Sequence, residues 1–313
     1  MGDKRMASAR RRARPRRDTT PGGSAAPPVV TEEKKSGSRA GRDLGAAFLV
    51  GGGLLAFFGL TLLFVPVLFR LAVIIAMMAG LLEFRRVWQK TDLHLATPVT
   101  MVGGAGIFIC ASQMGVEAML IATLFTVGAG ILWHLTGESR GEKLLRNVSA
   151  TALTVAYIPF LASFVGLLSV ECGGPATAVY VLATTLGSDT GGYVVGRFLG
   201  RHHMTPVISP KKTWEGFAGS VVFAVAISIA GTFWIGIPWF YGPILGVLIA
   251  IFATLGDLSE SLLKRELGIK DMGHILPGHG GLLDRMDSLL MAAPVAYIIL
   301  KFAIHFHQVL PMS

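Results

Sequence analysis

Apolar runs of 18 or more residues recur along this 313-residue chain and restrict its fold more than any other feature. A helix of that length matches the hydrocarbon thickness of a bilayer. Charged residues make up only 15% of the chain, whereas soluble domains carry about 25%. The sequence therefore predicts an all-α, polytopic integral membrane helical bundle.

The apolar runs predict about nine transmembrane helices. Pro66 separates the first two, because proline favours a break between helices. Glycines in several runs suit close helix packing in lipid, and the short eighth run is expected to be tilted, broken or half-buried in protein. The predicted spans lie near residues 44–65, 67–84, 95–114, 116–135, 148–169, 178–198, 217–236, 241–256 and 287–306.

The first 42 residues differ in composition from the rest of the chain. They hold twelve Lys or Arg against four Asp or Glu, which accounts for most of the net charge of +9. With almost no residues that can form a core, residues 1–42 are predicted to be a disordered basic cytoplasmic tail. A basic arm beside anionic lipid is a simpler explanation of its charge than a nucleic-acid site, so no nucleic-acid partner is expected.

Basic residues also predict the orientation of the spans, since cytoplasmic loops are rich in Lys and Arg. With nine spans and a cytoplasmic N-terminus, 26 of the 28 Lys and Arg fall on inner segments or their helix ends, and only Arg70 and Lys301 do not. We therefore expect an integral plasma (inner) membrane protein with its C-terminus outside.

Acidic residues recur at positions where they are costly or share a helix face. Ten of the 32 residues from Gly256 to Asp287 are charged. Asp284 and Asp287 are three residues apart and would share a face of a helix, while Asp257 ends the eighth span at a similar depth. Asp189 lies midway in the sixth span, where a carboxylate is a functional-site candidate by default.

These carboxylates indicate a site for a metal and an anion. Clustered carboxylates without thiolates select hard cations, Mg²⁺ above all. Mixed with cationic side chains, they suit a nucleoside triphosphate and its metal, and the stretch His279–Gly281 permits a close backbone approach. The neighbouring cations are Lys211, Lys212, Lys264, Arg265, Lys270 and Arg285.

Other ionisable residues have simpler explanations. Glu83, Glu117 and Glu138 lie at predicted span edges and are expected to be interfacial. Cys110 and Cys172 are far apart and imply no disulfide or cysteine metal site. Three carboxylates can equally be members of ion pairs on a solvated face: Glu260, Glu266 and Asp271 with Lys264, Arg265 and Lys270.

The charged segment also carries a family pattern, at Ser261, Leu263, Lys264–Arg265, Lys270–Asp271, Gly273, Leu276–Pro277, His279–Gly281, Asp284–Arg285 and Asp287. At these positions it resembles the C-terminal signature of the phosphatidate cytidylyltransferases, the CDP-diacylglycerol synthases. Upstream, "SDTGGYVVGR" and "SPKKTWEGFAGS" resemble that family's preceding segments. The specific match covers roughly residues 180–290.

The resemblance implies an activity and its partners. Such enzymes transfer CMP from CTP to phosphatidic acid, giving CDP-diacylglycerol and pyrophosphate for phospholipid biosynthesis. They are Mg²⁺-dependent membrane proteins, and the resemblance suggests a homodimer among membrane lipids. Residues 43–313 would form the transmembrane cytidylyltransferase domain. Whether one cation or two are bound is left open.

The resemblance also implies roles for individual residues. Asp257 and Asp284 would be the main metal ligands, with Asp287 and Asp189 close by. Catalysis would fall to Asp257, Asp284, Asp287 and Lys264. Substrate phosphates would be held by Lys264, Arg265, Lys270 and Arg285 beside His279, Gly280 and Gly281. A second wall of the nucleotide site would be formed by Ser209, Lys211, Lys212 and Thr213.

Two alternatives stay open at this point. A transporter of phosphorylated metabolites or cations would explain Asp189 and the number of spans, but not charges confined to one side of the membrane. A cytidylyltransferase acting on another lipid phosphate, such as an isoprenoid phosphate, would keep the nucleotide half of the site unchanged.

Overall fold

The computed structural model describes residue 53 and residues 56–137, 139–269, 272–273 and 281–309, with side chains to residue 305. Residues 56–64 are helical. The helices that follow are α1 (Pro66–Lys90), α2 (Thr97–Met114), α3 (Val116–Leu135), α4 (Gly141–Val155), α5 (Leu161–Glu171), α6 (Pro175–Leu199), α7 (Trp214–Ile235), α8 (Tyr241–Glu266) and α9 (Asp287–Val309).

Three short elements complete the described part. A π-helical turn, Ala156–Phe160, joins α4 to α5, and a 3₁₀ turn, Leu283–Arg285, precedes α9. Strands β1 (His203–Thr205) and β2 (Ser209–Thr213) form an antiparallel hairpin between α6 and α7, with Thr205 opposite Ser209. The predicted all-α membrane bundle is confirmed, with this hairpin as a small addition.

Seven described segments are long and apolar enough to cross a bilayer: α1, α2, α3, the continuous run Gly141–Glu171, α7, α8 and α9 as far as His305. The helix α6 occupies the sixth predicted span but does not reach the same apolarity, because it carries Thr, Ser and Asp side chains. Residues 44–52 and 54–55 of the first predicted span, 44–65, and the whole tail, 1–42, lie outside the described residues. The count of nine is therefore not confirmed.

The eighth span is longer than predicted. The sequence indicated a short run over 241–256 followed by a charged loop, but α8 continues to Glu266. The loop interpretation was wrong because polarity alone was taken to end the helix. Asp257, Glu260 and Lys264 recur every three or four residues, the spacing of one helix face, so the charged residues continue the helix as a polar stripe.

Prolines shape two helical runs. Pro66 occupies the first turn of α1 after the non-helical Val65, which confirms the predicted break. Pro159 lies inside the π-helical turn. Proline removes a backbone donor and clashes with the preceding turn, and a π-type turn widens the helix locally to accommodate such a residue.

Glycine brings α6, α7 and α8 into backbone contact. A Cβ added at Gly219 of α7 would lie 2.5 Å from Val195 and 2.8 Å from the carbonyl oxygen of Gly191 on α6. One added at Gly246 of α8 would lie 2.6 Å from Cα of Val225 on α7. Small residues permit such close approach between membrane helices, and here they hold the helix of Asp189 and the helix of Asp257 against the same partner.

Polar contacts of Glu171 join helices at the end of the bundle where α2 ends and α3 begins. Glu171 accepts hydrogen bonds from the backbone N–H of Val116 at 2.7 Å and from the Tyr297 hydroxyl at 2.6 Å. It also forms an ion pair with Lys301. Lys301, one of the two cations away from the predicted inner segments, thus has a structural partner.

Candidate active site

The polar stripe of α8 forms the centre of the candidate site. Asp257 is partly exposed, Glu260 is 2% exposed and the Lys264 side chain is 16% exposed. Ser261 donates to Oδ1 of Asp257 at 3.3 Å. One helix therefore presents acidic, hydroxyl and cationic groups in succession along a single face.

The β-hairpin adds a second cation to this stripe. Nζ of Lys212 on β2 lies 2.7 Å from Oδ2 of Asp257 and 3.4 Å from the carbonyl oxygen of Thr254. The next residue, Thr213, caps α7 by accepting from the N–H of Gly216 at 3.1 Å. A side-chain cap of this kind fixes the start of a helix, so the hairpin and α7 together position Lys212 over α8.

Asp284 lies at the opposite side of the stripe and uses both carboxylate oxygens. Oδ1 accepts from Nζ of Lys264 at 2.8 Å, Oδ2 accepts from the N–H of Gly281 at 2.7 Å, and the N–H of Met272 approaches Oδ2 at 3.2 Å. Burial raises the pKa of Asp284, but the hydrogen bonds from Lys264 and from the N–H of Gly281 outweigh burial and hold the pKa below its ordinary value. Asp284 is therefore ionised at neutral pH.

Asp287 and Asp189 meet between α6 and α9. Asp287 is 7% exposed and accepts from the N–H of the next residue, Ser288, at 2.7 Å. Ser288 also hydrogen-bonds Asp189. Asp189 is exposed on α6.

Glu260 joins this group, contrary to the alternative of an ion pair on a solvated face. It does pair with Lys264, at 3.5 Å, but the side chain of Glu260 is only 1% exposed. Its carboxyl group interacts electrostatically with those of Asp287 and Asp284. Among the described residues no hydrogen-bond donor satisfies either carboxyl oxygen. A buried group of carboxyls this close requires a shared proton or an added cation.

One further residue of the site region was not predicted. Tyr157, on the π-helical turn, has a buried hydroxyl with no hydrogen-bond partner in the described part of the chain. Its ring stacks on Phe84 at 6.0 Å between centroids, and the carboxylates of the site act on it electrostatically. Pro159 was the available sequence signal, because π-type turns frequently occur at functional sites.

Glu83 was predicted to be interfacial, and this prediction was wrong. It is 0% exposed and accepts hydrogen bonds from Leu282 and Leu283, some 200 residues later in the chain. The sequence carries no signal for this contact, since a carboxylate near a span end is ordinary by itself. Its neighbour Asp284 is the most extensively hydrogen-bonded carboxylate of the site.

Other predicted substrate residues lie on α8, on the β-hairpin and on the 3₁₀ turn. Arg265 points from the exposed side of α8 and donates to the carbonyl oxygen of Ile208 at 3.2 Å. Lys211 is exposed on β2, Ser209 begins that strand, and Arg285 is exposed on the 3₁₀ turn. Lys270, His279 and Gly280 lie outside the described residues.

The arrangement fits Mg²⁺ by its donor chemistry more than by its present geometry. Among the described residues, no three His, Cys, Asp or Glu side chains are arranged to hold a metal ion as they stand. All available donors are nevertheless carboxylate oxygens, which Mg²⁺ prefers. The carboxyls around Glu260 also concentrate negative charge that a divalent cation would neutralise.

Comparison with known proteins agrees with this chemistry. A model described as the cytidylyltransferase family matches residues 46–303. A relative named phosphatidate cytidylyltransferase from Mycobacterium bovis is 37% identical over 276 residues, covering 84% of this chain and 90% of the relative. The protein of that name from Mycobacterium leprae is 37% identical over 282 residues, covering 84% and 89%.

A more distant relative of the same name, from Staphylococcus aureus, is 29% identical over 248 residues, covering 76% of this chain and 94% of the relative. The family match runs from residue 46 through α1 to α8 and into α9. It thus includes every described residue of the candidate site. The chain belongs to the cytidylyltransferase family.

Proposed function

We propose that this chain transfers CMP from CTP to phosphatidic acid, giving CDP-diacylglycerol and pyrophosphate. The observation that carries the proposal is the pair of lysine–carboxylate contacts on one face of α8, Lys212 with Asp257 and Lys264 with Asp284. Alternating cations and carboxylates suit a metal-bound triphosphate, and the family and its relatives supply the reaction. The enzyme is a nucleotidyltransferase of phospholipid biosynthesis in a membrane.

The reaction requires positioning more than a strong base. A phosphate oxygen of phosphatidic acid attacks the α-phosphorus of CTP, forming a new P–O bond. The bond from the α-phosphorus to the oxygen that bridges to the β-phosphate breaks, and pyrophosphate leaves with that electron pair. Phosphate is already nucleophilic at neutral pH, so alignment and charge stabilisation provide most of the rate enhancement. Lys212 and Lys264 are placed to stabilise the negative charge that builds on the leaving group.

We assign the binding of Mg²⁺ to four aspartates, Asp257, Asp284, Asp287 and Asp189. Glu260 adds a further carboxyl to the same group. When bound, Mg²⁺ neutralises part of the negative charge of the triphosphate. Hydrogen bonds within the chain orient two of these carboxylates. Ser261 donates to Asp257, and the N–H of Gly281 donates to Asp284.

Radiolabelled CTP should enter lipid only when phosphatidic acid and Mg²⁺ are both present, with one pyrophosphate released for each lipid labelled. EDTA should abolish incorporation and excess Mg²⁺ should restore it, because the carboxyl cluster otherwise faces the triphosphate with uncompensated charge. Incorporation that persists in EDTA would remove the metal from the proposal. Labelling only with an isoprenoid phosphate would change the acceptor, and CTP-independent metabolite flux without pyrophosphate would favour a transporter.

The membrane arrangement is a finer part of the proposal: nine spans, a disordered cytoplasmic tail, a cytoplasmic site and an external C-terminus. Single cysteines in a cysteine-free background test the orientation. Val207→Cys, on the hairpin beside the site, should react with an impermeant maleimide only after cell lysis, whereas Met114→Cys, at the opposite end, should react in intact cells. The reverse pattern would invert the orientation. The homodimer rests on the family resemblance, and the mass of the purified particle tests it.

A further inference from the structure

Glu83 is a buried carboxylate in the last third of α1, outside the residues to which the reaction has been assigned. It is 0% exposed, and burying a carboxylate is costly unless hydrogen bonds replace its water. Its two oxygens meet that requirement with backbone donors. The N–H of Leu282 donates to Oε1 at 3.1 Å and the N–H of Leu283 donates to Oε2 at 3.0 Å.

The chain around Glu83 is packed against it with no spare volume. A Cβ added at Gly273 would lie 2.2 Å from Oε1 of Glu83, and one added at Gly281 would lie 2.8 Å from Oε2. The same atom at Gly281 would lie 2.9 Å from Oδ2 of Asp284. Two separate pieces of the charged segment, residues 272–273 and 281–283, therefore close around one side chain of α1.

Asp284 follows directly on the two amides that Glu83 holds. It accepts from Gly281 on one oxygen and from Lys264 on the other. Any rotation of the peptide groups at Leu282 and Leu283 therefore turns Asp284 relative to α8. A misplacement of about 1 Å in a catalytic arrangement can cost about 100-fold in rate.

We propose that Glu83 is a positioning residue for CMP transfer. By accepting from two consecutive amides it fixes the backbone that presents Asp284 to Lys264, without contacting substrate itself. The kinetic part of this inference rests on the proposed function, whereas the anchoring part does not.

Glu83→Gln tests the proposal with almost no change of shape. Gln retains one acceptor oxygen, so its amide nitrogen faces one of the two N–H groups and that hydrogen bond is lost. Losing one of the two anchoring hydrogen bonds lets the backbone before Asp284 shift, so we expect kcat/KM to fall by about 10- to 100-fold. The Mg²⁺ concentration for half-maximal activity should rise and the KM for phosphatidic acid should stay unchanged. Glu83→Asp, which keeps both acceptor oxygens, should recover part of the activity.

Glu171→Gln is the matched control. Glu171 is also a carboxylate that accepts from a backbone N–H and joins helices, but it lies at the opposite end of the bundle. This variant should lower thermal stability and leave kcat/KM and the Mg²⁺ requirement of the folded protein unchanged. If both variants lose activity only in proportion to the folded fraction, Glu83 is merely structural and the proposal fails.

Hydrogen exchange supplies a readout independent of activity. The amide hydrogens of Leu282 and Leu283 should exchange faster in Glu83→Gln than in the wild-type chain, and at the wild-type rate in Glu171→Gln. If the exchange rates of these two amides in Glu83→Gln equal those of the wild-type chain, the proposal that Glu83 anchors this backbone is wrong. If the wild-type chain made no CDP-diacylglycerol, the proposed function would fail, and the exchange rates would still decide whether Glu83 anchors this backbone.

Discussion

Replacing Asp284 by asparagine is expected to lower CMP transfer by at least about 10³-fold while leaving a folded membrane protein. Both oxygens of Asp284 accept hydrogen bonds, Oδ1 from Lys264 and Oδ2 from the N–H of Gly281. Asparagine keeps one acceptor and turns an NH₂ group towards the other donor. It also removes the negative charge that neutralises Lys264 and that we assign to Mg²⁺. Incorporation of radiolabelled CTP into lipid measures the loss.

Asp92→Asn provides the matched comparison. Asp92 is also a carboxylate paired with a lysine, Lys143 at 2.8 Å, but its side chain is 78% exposed. Removing that charge should leave CMP transfer unchanged. A folded Asp284→Asn variant that turns over at a near-normal rate would contradict the assignment of Asp284 to the metal and to catalysis.

Replacing Lys264 by methionine should have the second large effect, on stability as well as on activity. The ammonium group lies 3.5 Å from Glu260 and 2.8 Å from Asp284, whose side chains are only 1% and 12% exposed. Methionine keeps much of the side-chain length but leaves these carboxyls without their cation. Removing one partner of a buried ion pair costs about 3–5 kcal/mol, so the thermal midpoint in detergent should fall and CMP transfer should be lost.

Lys143→Met is the control for Lys264→Met. Its ion pair with Asp92 is largely exposed, and such pairs contribute about 0–1 kcal/mol, so its midpoint should stay near that of the wild-type chain. Equal midpoints for the two variants would show that the carboxyl cluster around Lys264 does not depend on this lysine. In that case a shared proton would have to account for the closeness of Glu260, Asp284 and Asp287.

The fold was predictable where one physical property decides it. Apolar length predicted the helices, and Pro66 marked the break before α1, because both effects act within a single segment. The prediction failed at α8, where charge was taken to end the helix although Asp257, Glu260 and Lys264 keep helical spacing. The assignment of α6 as the sixth span stays a prediction, because the polar side chains of that helix leave it below the apolarity of the seven described candidates.

The candidate site was predictable in its residue types and only partly in its contacts. The sequence indicated that Lys264 and Asp284 belong together, and the structure places them 2.8 Å apart. It did not indicate that Arg265 turns towards Ile208, or that Glu260 is buried. The neighbouring helices decide which face of a helix packs against protein and which contacts lipid. Because both environments favour the same apolar residues in this chain, the sequence does not distinguish the two faces.

The sequence by itself determined the membrane class, most helix positions and the family, because hydrophobic length and a dense local motif are properties of contiguous residues. Only the tertiary structure decided that Lys212 meets Asp257, that Tyr157 lies near the carboxyl group, and that Glu83 holds the backbone before Asp284. These contacts join residues separated by tens to about 200 positions. They exist because a buried charge must find its hydrogen-bond partners wherever the packing of the helices brings them.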